Sequence, residues 1–232
     1  MRKVSFIRAQ GATWVATYGS VTFNQFGRDN PMTGINEKGL MVSQMWLDET
    51  RYPPADTRPV IGNLEWIQYN LDRHGSVAEV LADAEAVRPM SRAPIHYLVA
   101  DAAGDAAALE FLDGKLVVHR GAAMPVRALT NSTYSESVAA FERAKAKGEM
   151  PKSVSSLDRF VRAAMLAGGG NADPIARGLR SLLQLRNRIP LGGASSTISV
   201  PARSISEPRA IAPSGGSLWR GSTSPAARRS RC

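Results

Sequence analysis

Between Ile95 and His119 the chain breaks into three strand-like runs, Ile95–Ala100, Ala106–Leu112 and Lys115–His119. Asp101-Ala-Ala-Gly104 separates the first two and Asp113-Gly114 the last two. Asp-Gly between apolar, β-branched runs predicts a type I′ hairpin, because both central residues of that turn take positive φ. This meander is the strongest local constraint in the sequence, and it forces an antiparallel sheet. Residues before it extend the β character. Thr13–Tyr18 and Val21–Phe26 read as a strand pair around Gly19, and Gly39–Leu47 as a further strand.

Helices surround the meander. Leu64, Ile67 and Leu71 recur at helical spacing with Gly75 as a stop, and Ser76-x-x-Glu79 is a capping box ahead of Val77, Val80 and Leu81. Val126–Thr130 reads as a fourth strand of the second half, ending at Asn131. Helices follow at Ser135–Lys147, Leu157–Leu166 and Pro174–Leu185, the first two stopped by Gly148 and Gly168. Strands grouped between helices predict an α+β fold of sheet layers covered by helices, not a doubly wound parallel sheet.

The chain has 232 residues and a formal charge of +9. That charge is uneven. Residues 191–232 hold six arginines against one acid, Glu207, so they carry +5 and leave +4 for residues 1–190. Those 42 residues also hold ten serines and no lysine, tyrosine or phenylalanine. Such a composition buries too little apolar surface to offset the entropy of ordering. The expected organisation is a folded domain over residues 1–190 and a disordered basic tail over 191–232. The tail reads as a basic linker or RNA-binding arm, or as out-of-frame coding sequence; its Ser/Arg/Pro/Ala/Gly bias favours the second. Trp219 is its one aromatic, too few for a stacking platform, so nucleic acid is not the expected partner.

Several site types have no sequence support. No stretch approaches the roughly eighteen apolar residues of a membrane span, and the N-terminus lacks the apolar core of a secretory signal. Cys232 is the sole cysteine, and His74, His96 and His119 are scattered, so neither metal nor cofactor is expected. No nucleophile elbow, Walker loop or dinucleotide fingerprint occurs. Gly168-Gly-Gly170 reads as a helix C-cap and loop, His74 as a helix-end residue favoured by the dipole, and His96 and His119 as packing or edge residues.

Four motifs remain, in order: Gly34-Ile-Asn-Glu-Lys-Gly-Leu40 running into Gln44-Met-Trp46; Ile95-His-Tyr-Leu-Val-Ala-Asp101 with Ala108-Leu-Glu-Phe111; Ala128-Leu-Thr-Asn131-Ser132; and Leu157-Asp-Arg159-Phe-Val-Arg162. Singly they are a tight turn, a hairpin, a strand end capping a helix, and a solvated helix face. Together, over about Trp14 to Pro190, the chain resembles the choloylglycine hydrolase and penicillin V acylase family of linear amide C–N hydrolases, in its Gram-negative branch. The resemblance implies an αββα sandwich of the N-terminal-nucleophile type. An N-terminal cysteine would attack an acyl amide, with its own α-amine as base. Asn131 matches the family's oxyanion asparagine, and Arg159 the arginine of the site's polar network. Trp46 stands where the bile-salt branch has a second site asparagine; its backbone N–H would serve there, or its indole would line an acyl pocket. The implied partner is a small acyl amide: penicillin V, a conjugated bile salt or an N-acyl homoserine lactone. For the intact family member a homo-oligomer and a periplasmic or secreted location are implied. The nucleophile is expected upstream of Met1, since Cys232 has no free α-amine beside its thiol. The domain is thus expected to be truncated at its start and frameshifted near Leu191, with sandwich strands missing at both ends and no activity as it stands. The rival reading is a non-catalytic protein: one that binds acyl amides or, less favoured, a basic-tailed nucleic-acid binder.

Overall fold

The computed structural model describes residues 2–5, 11–25 and 30–167. In chain order the strands are β1 (Arg2–Ser5), β2 (Thr13–Ala16), β3 (Ser20–Asn24), β4 (Pro31–Asn36), β5 (Met41–Trp46) and β6 (Val60–Ile61). Helices α1 (Asn63–Arg73) and α2 (Val77–Ala82) follow, then β7 (Arg88–Pro89), β8 (Ile95–Ala100), β9 (Ala106–Leu112) and β10 (Lys115–Arg120). Helices α3 (Tyr134–Lys147) and α4 (Ser156–Ala167) come last. A six-stranded antiparallel sheet, ordered β10-β9-β8-β5-β4-β3, dominates, with two-stranded pairs β1-β2 and β6-β7 beside it.

The meander forms as its turn residues require. Asp113 and Gly114 both take positive φ, 51° and 75°, so the β9–β10 connection is type I′. Asp101 organises the β8–β9 turn: its Oδ1 accepts the N–H groups of Ala103 and Asp105, while its Oδ2 accepts that of Val77 at the start of α2. One carboxylate therefore ties the turn to a helix terminus.

Side chains alternate between two cores. Tyr97, Val99, Ala107, Leu109 and Phe111 pack with Trp66, Ile67, Tyr69 and Leu71 of α1 and with Val77 and Val80 of α2. Ala106 and Ala108, on the other face, pack with Tyr134, Phe160 and Ala164 of α3 and α4. Because β9 is covered on both faces, its sequence reads as a near-continuous apolar run. Each large side chain so buried stabilises the fold by about 1.5–3 kcal/mol.

The Asn-Glu-Lys-Gly motif is the β4–β5 turn. Asn36 is buried; its Nδ2 donates to the carbonyls of Leu71 and His74 at the end of α1, and its Oδ1 accepts from the Lys38 and Leu40 N–H groups. A single side chain thus closes the turn and satisfies orphan carbonyls at a helix end. Gly34 faces Leu71 across the same contact. A Cβ there would lie 2.6 Å from Leu71 Cδ1 and 2.9 Å from the Val21 carbonyl, so α1 sits against bare backbone.

Two expectations are corrected. β2 and β3 are not a hairpin around Gly19: β2 pairs with β1 and β3 with β4. The chain between them is diverted because the N–H groups of Thr17 and Tyr18 donate to the Asp72 carbonyl of α1. Second, residues 126–130 form no strand. Side chains take the place of a ladder: the Tyr134 hydroxyl bridges the N–H and C=O of Val126, and His96 Nε2 holds the Thr130 carbonyl. His74 stands at the end of α1 as expected, as its C-cap residue. Burial lowers its pKa from the ordinary value, against the opposing pull of Asp83. β1, β4, β6 and β7 were not legible as strands. The expected helix over 174–185, the Gly168-Gly-Gly170 loop and the basic tail lie outside the described residues.

Candidate functional site

The three residues singled out from the motifs come together from separate elements. Trp46 ends β5, Asn131 lies in the loop entering α3, and Arg159 is in the first turn of α4. Asn131 Nδ2 donates to the Trp46 carbonyl at 2.9 Å, and Arg159 Nη2 donates to Asn131 Oδ1 at 2.8 Å. Arginine only donates and a carbonyl only accepts, so this pair of contacts fixes which end of the amide is oxygen. One Nδ2–H is committed to Trp46. The other has no partner among the described residues.

The Trp46 contact arises from strand geometry. Leu47 N–H donates to Pro94 O across to β8, so by antiparallel alternation the polar groups of Trp46 point the other way. On that side β4 pairs with β5 only from Thr33↔Ser43 to Ile35↔Met41. The Trp46 carbonyl is thus beyond the ladder and available to Asn131. It is this carbonyl, and not the N–H, that Asn131 engages. The indole is half exposed and its Nε1 donates to Asp48.

Asn131 does not cap α3. That position belongs to Thr133, whose Oγ1 accepts the Glu136 N–H and donates to Glu136 Oε2. Asn131 is instead anchored to α4: its N–H donates to Ser156 Oγ at 2.8 Å, while Thr130 Oγ1 donates to the Ser156 carbonyl. Arg159 is itself steadied by a bond from Nε to the Val154 carbonyl. The result is an oriented, half-buried amide with an arginine behind its oxygen. Arg159 fixes the amide oxygen, which leaves the second Nδ2–H as the group's remaining donor.

Beneath the site lies a polar cluster that the motif reading passed over. Glu110 is fully buried in β9, accepts the Tyr134 N–H at 2.9 Å and contacts His96 and His119 at 3.0 and 3.2 Å. Burial opposes its ionisation, but the bonds from His96 and Tyr134 and the nearby imidazoles outweigh that, and its pKa falls below the ordinary value. The signal was present: the Asp101–Asp105 turn sets Ala100 opposite Ala106, which by extension sets His96 opposite Glu110. No group of three His, Cys, Asp or Glu among the described residues is arranged to hold a metal ion. Nor, among the described residues, is any helix long and apolar enough to cross a membrane.

Comparison with known proteins identifies the fold. Residues 8–143 match the model of linear amide C–N hydrolases, choloylglycine hydrolase family. A penicillin V acylase of Pectobacterium atrosepticum is 29% identical over 187 residues, covering 72% of this chain and 49% of that protein, so the chain spans about half the length of this curated relative. The solved penicillin V acylase of Agrobacterium tumefaciens is 27% identical, with a TM-score of 0.68, covering 87% of this chain and 64% of that one. A variant of the conjugated bile acid hydrolase of Clostridium perfringens, 18% identical, superposes with a TM-score of 0.65 over 79% of this chain and 68% of its own, which speaks to the fold alone. The α+β architecture is that of the N-terminal-nucleophile acylases. The chain belongs to the choloylglycine hydrolase family of linear amide C–N hydrolases.

Proposed function

We propose that this chain supplies the oxyanion-binding part of a hydrolase of linear amide C–N bonds, acting on small acyl amides. The observation that carries the reading is the fixed Asn131 amide, whose oxygen is held by Arg159 and whose second N–H has no partner among the described residues. When a nucleophile adds to an amide carbonyl, negative charge develops on its oxygen. An N–H already aimed at that position stabilises the charge without reorganising, and such a donor is typically worth roughly a hundredfold to a thousandfold in rate. Arg159 acts through Asn131: its charge polarises the amide and prevents a flip that would present oxygen to oxygen.

The nucleophile in this reading is an N-terminal cysteine thiolate, whose acyl-enzyme is then released by water. The sole cysteine, Cys232, has its α-nitrogen in a peptide bond and cannot pair a thiol with a free amine. The penicillin V acylase relatives favour a phenoxyacetyl amide, with conjugated bile salts and N-acyl homoserine lactones as the other acyl amides to compare.

The test has two parts. The 232-residue chain should release no amine from penicillin V above background, and Cys232→Ser should change nothing; turnover lost in that variant would refute the assignment of the nucleophile. With an N-terminal cysteine segment restored, hydrolysis should appear, and Asn131→Ala should lower kcat by roughly a hundredfold with KM little changed. Undiminished kcat per folded molecule would make Asn131 a bracket for the Trp46 carbonyl and nothing more.

A further inference from the structure

Amide hydrolysis as described above uses neither His96 nor Glu110, yet both are fully buried on neighbouring central strands. His96 Nε2 lies 2.7 Å from the Thr130 carbonyl and its Nδ1 lies 3.0 Å from Glu110 Oε1. A carbonyl only accepts, so Nε2 carries a proton. Glu110 Oε1 also receives the Tyr134 N–H at 2.9 Å, so one carboxyl oxygen meets both the ring and the helix. His96 is therefore held at both ring nitrogens, Nε2 by a backbone carbonyl and Nδ1 by the Glu110 carboxyl. Glu110 of β9 faces the ring directly; His119 of β10 contacts the far oxygen of that carboxylate, and Tyr134 of α3 closes the cluster.

The acceptor on the other side of His96 is informative. Thr130 C=O and Asn131 N–H belong to one peptide unit. His96 grips its oxygen from the sheet, and Ser156 Oγ grips its N–H from α4 at 2.8 Å. A peptide plane held at both polar atoms fixes the Cα from which the Asn131 side chain springs. A buried polar pair of this kind contributes little to stability compared with apolar packing of the same volume, so its use is sought in fixing one geometry.

We propose that His96 and Glu110 are positioning residues for the Asn131 amide: Glu110 fixes the His96 ring at Nδ1, and the ring clamps the Thr130–Asn131 peptide so that the free Nδ2–H points outward. The proposal rests on Asn131 being the oxyanion donor, and it adds the means by which that donor is aimed.

The test is nitrogen NMR of the histidine rings and of the Asn131 side-chain amide, in the 232-residue chain. His96 Nε2 should carry a ring proton hydrogen-bonded to the Thr130 carbonyl. In His96→Gln the Asn131 side-chain NH2 should exchange with water about tenfold faster, the scale of one lost hydrogen bond, while His119→Gln leaves it unchanged. A His96 ring with Nε2 unprotonated in the unmodified chain would overturn the proposal, and this measurement needs no variant to fold. So would an unchanged Asn131 amide in folded His96→Gln. If the clamp is seen but Asn131→Ala keeps full kcat in the restored enzyme, the hydrolase role of Asn131 fails and the clamp stands.

Discussion

Replacing Glu110 by alanine should be among the most damaging changes this domain can suffer. The carboxylate has no exposed surface and meets three partners: the Tyr134 N–H, His96 Nδ1 and His119 Nε2. Alanine removes that partner from all three. His119, slightly exposed, can turn toward water, but the Tyr134 N–H is fixed in the first turn of α3. Breaking a buried charge pair by removing one partner costs about 3–5 kcal/mol, a large share of the ~5–15 kcal/mol that holds a typical domain together. Glu110→Gln keeps an acceptor for Tyr134 and should cost less, about 1–3 kcal/mol. Urea unfolding at neutral pH, followed by far-UV circular dichroism, measures both. At a slope of about 2 kcal/mol/M the alanine midpoint should fall by roughly 2 M. The sign of the pH dependence follows from the lowered Glu110 pKa. Its contribution is fully present above the unfolded carboxylate value of about 4.3 and is lost as pH falls through the lower folded value. The gap between the unmodified chain and Glu110→Gln should therefore close on acidification below about pH 4. A loss under about 1 kcal/mol for Glu110→Ala, or a gap that stays constant into acid, would refute the buried-pair reasoning.

Other perturbations probe the remaining arguments. Gly34→Ala places a methyl 2.6 Å from Leu71 Cδ1 and 2.9 Å from a backbone oxygen, so it should cost about 1–3 kcal/mol by overpacking; an unchanged denaturation midpoint would show that α1 can retreat. Thr133→Ala removes the α3 cap and should cost about 1 kcal/mol in thermal unfolding, whereas a larger loss from Asn131→Ala would return the capping role to Asn131. Arg159→Met releases Asn131 Oδ1 and should leave the fold intact while the Asn131 NH2 resonances move and broaden; unchanged resonances would show that the Trp46 carbonyl alone orients the amide.

How much of this was written in the sequence varies with the range of the interaction responsible. The Asp113-Gly114 hairpin, the Ser76 cap and the end of α3 at Gly148 depend on residues a few positions apart, so local φ preferences and capping chemistry sufficed. The ordered motifs, through the family they resemble, singled out Trp46, Asn131 and Arg159 as candidates, without saying how they meet. Their convergence needs three elements folded against one another, and the contact from Asn131 reaches a backbone carbonyl, which is the same in every residue type. Residues 13–24 misled because two apolar runs around a glycine satisfy the local rules for a hairpin. The deciding bonds come instead from Asp72, more than fifty positions away. Residues 126–130 misled for a related reason: a β-like run was recruited by the side chains of Tyr134 and His96 in place of a neighbouring strand. The same holds for Glu110, whose place in an apolar run makes sense only once His96, His119 and Tyr134 are packed around it. Local chemistry determined the hairpins, caps and motif positions. Tertiary structure decided which strands pair, which carbonyls are left for side chains, and which buried charges are shared, because those depend on surfaces that exist only when distant segments exclude water together.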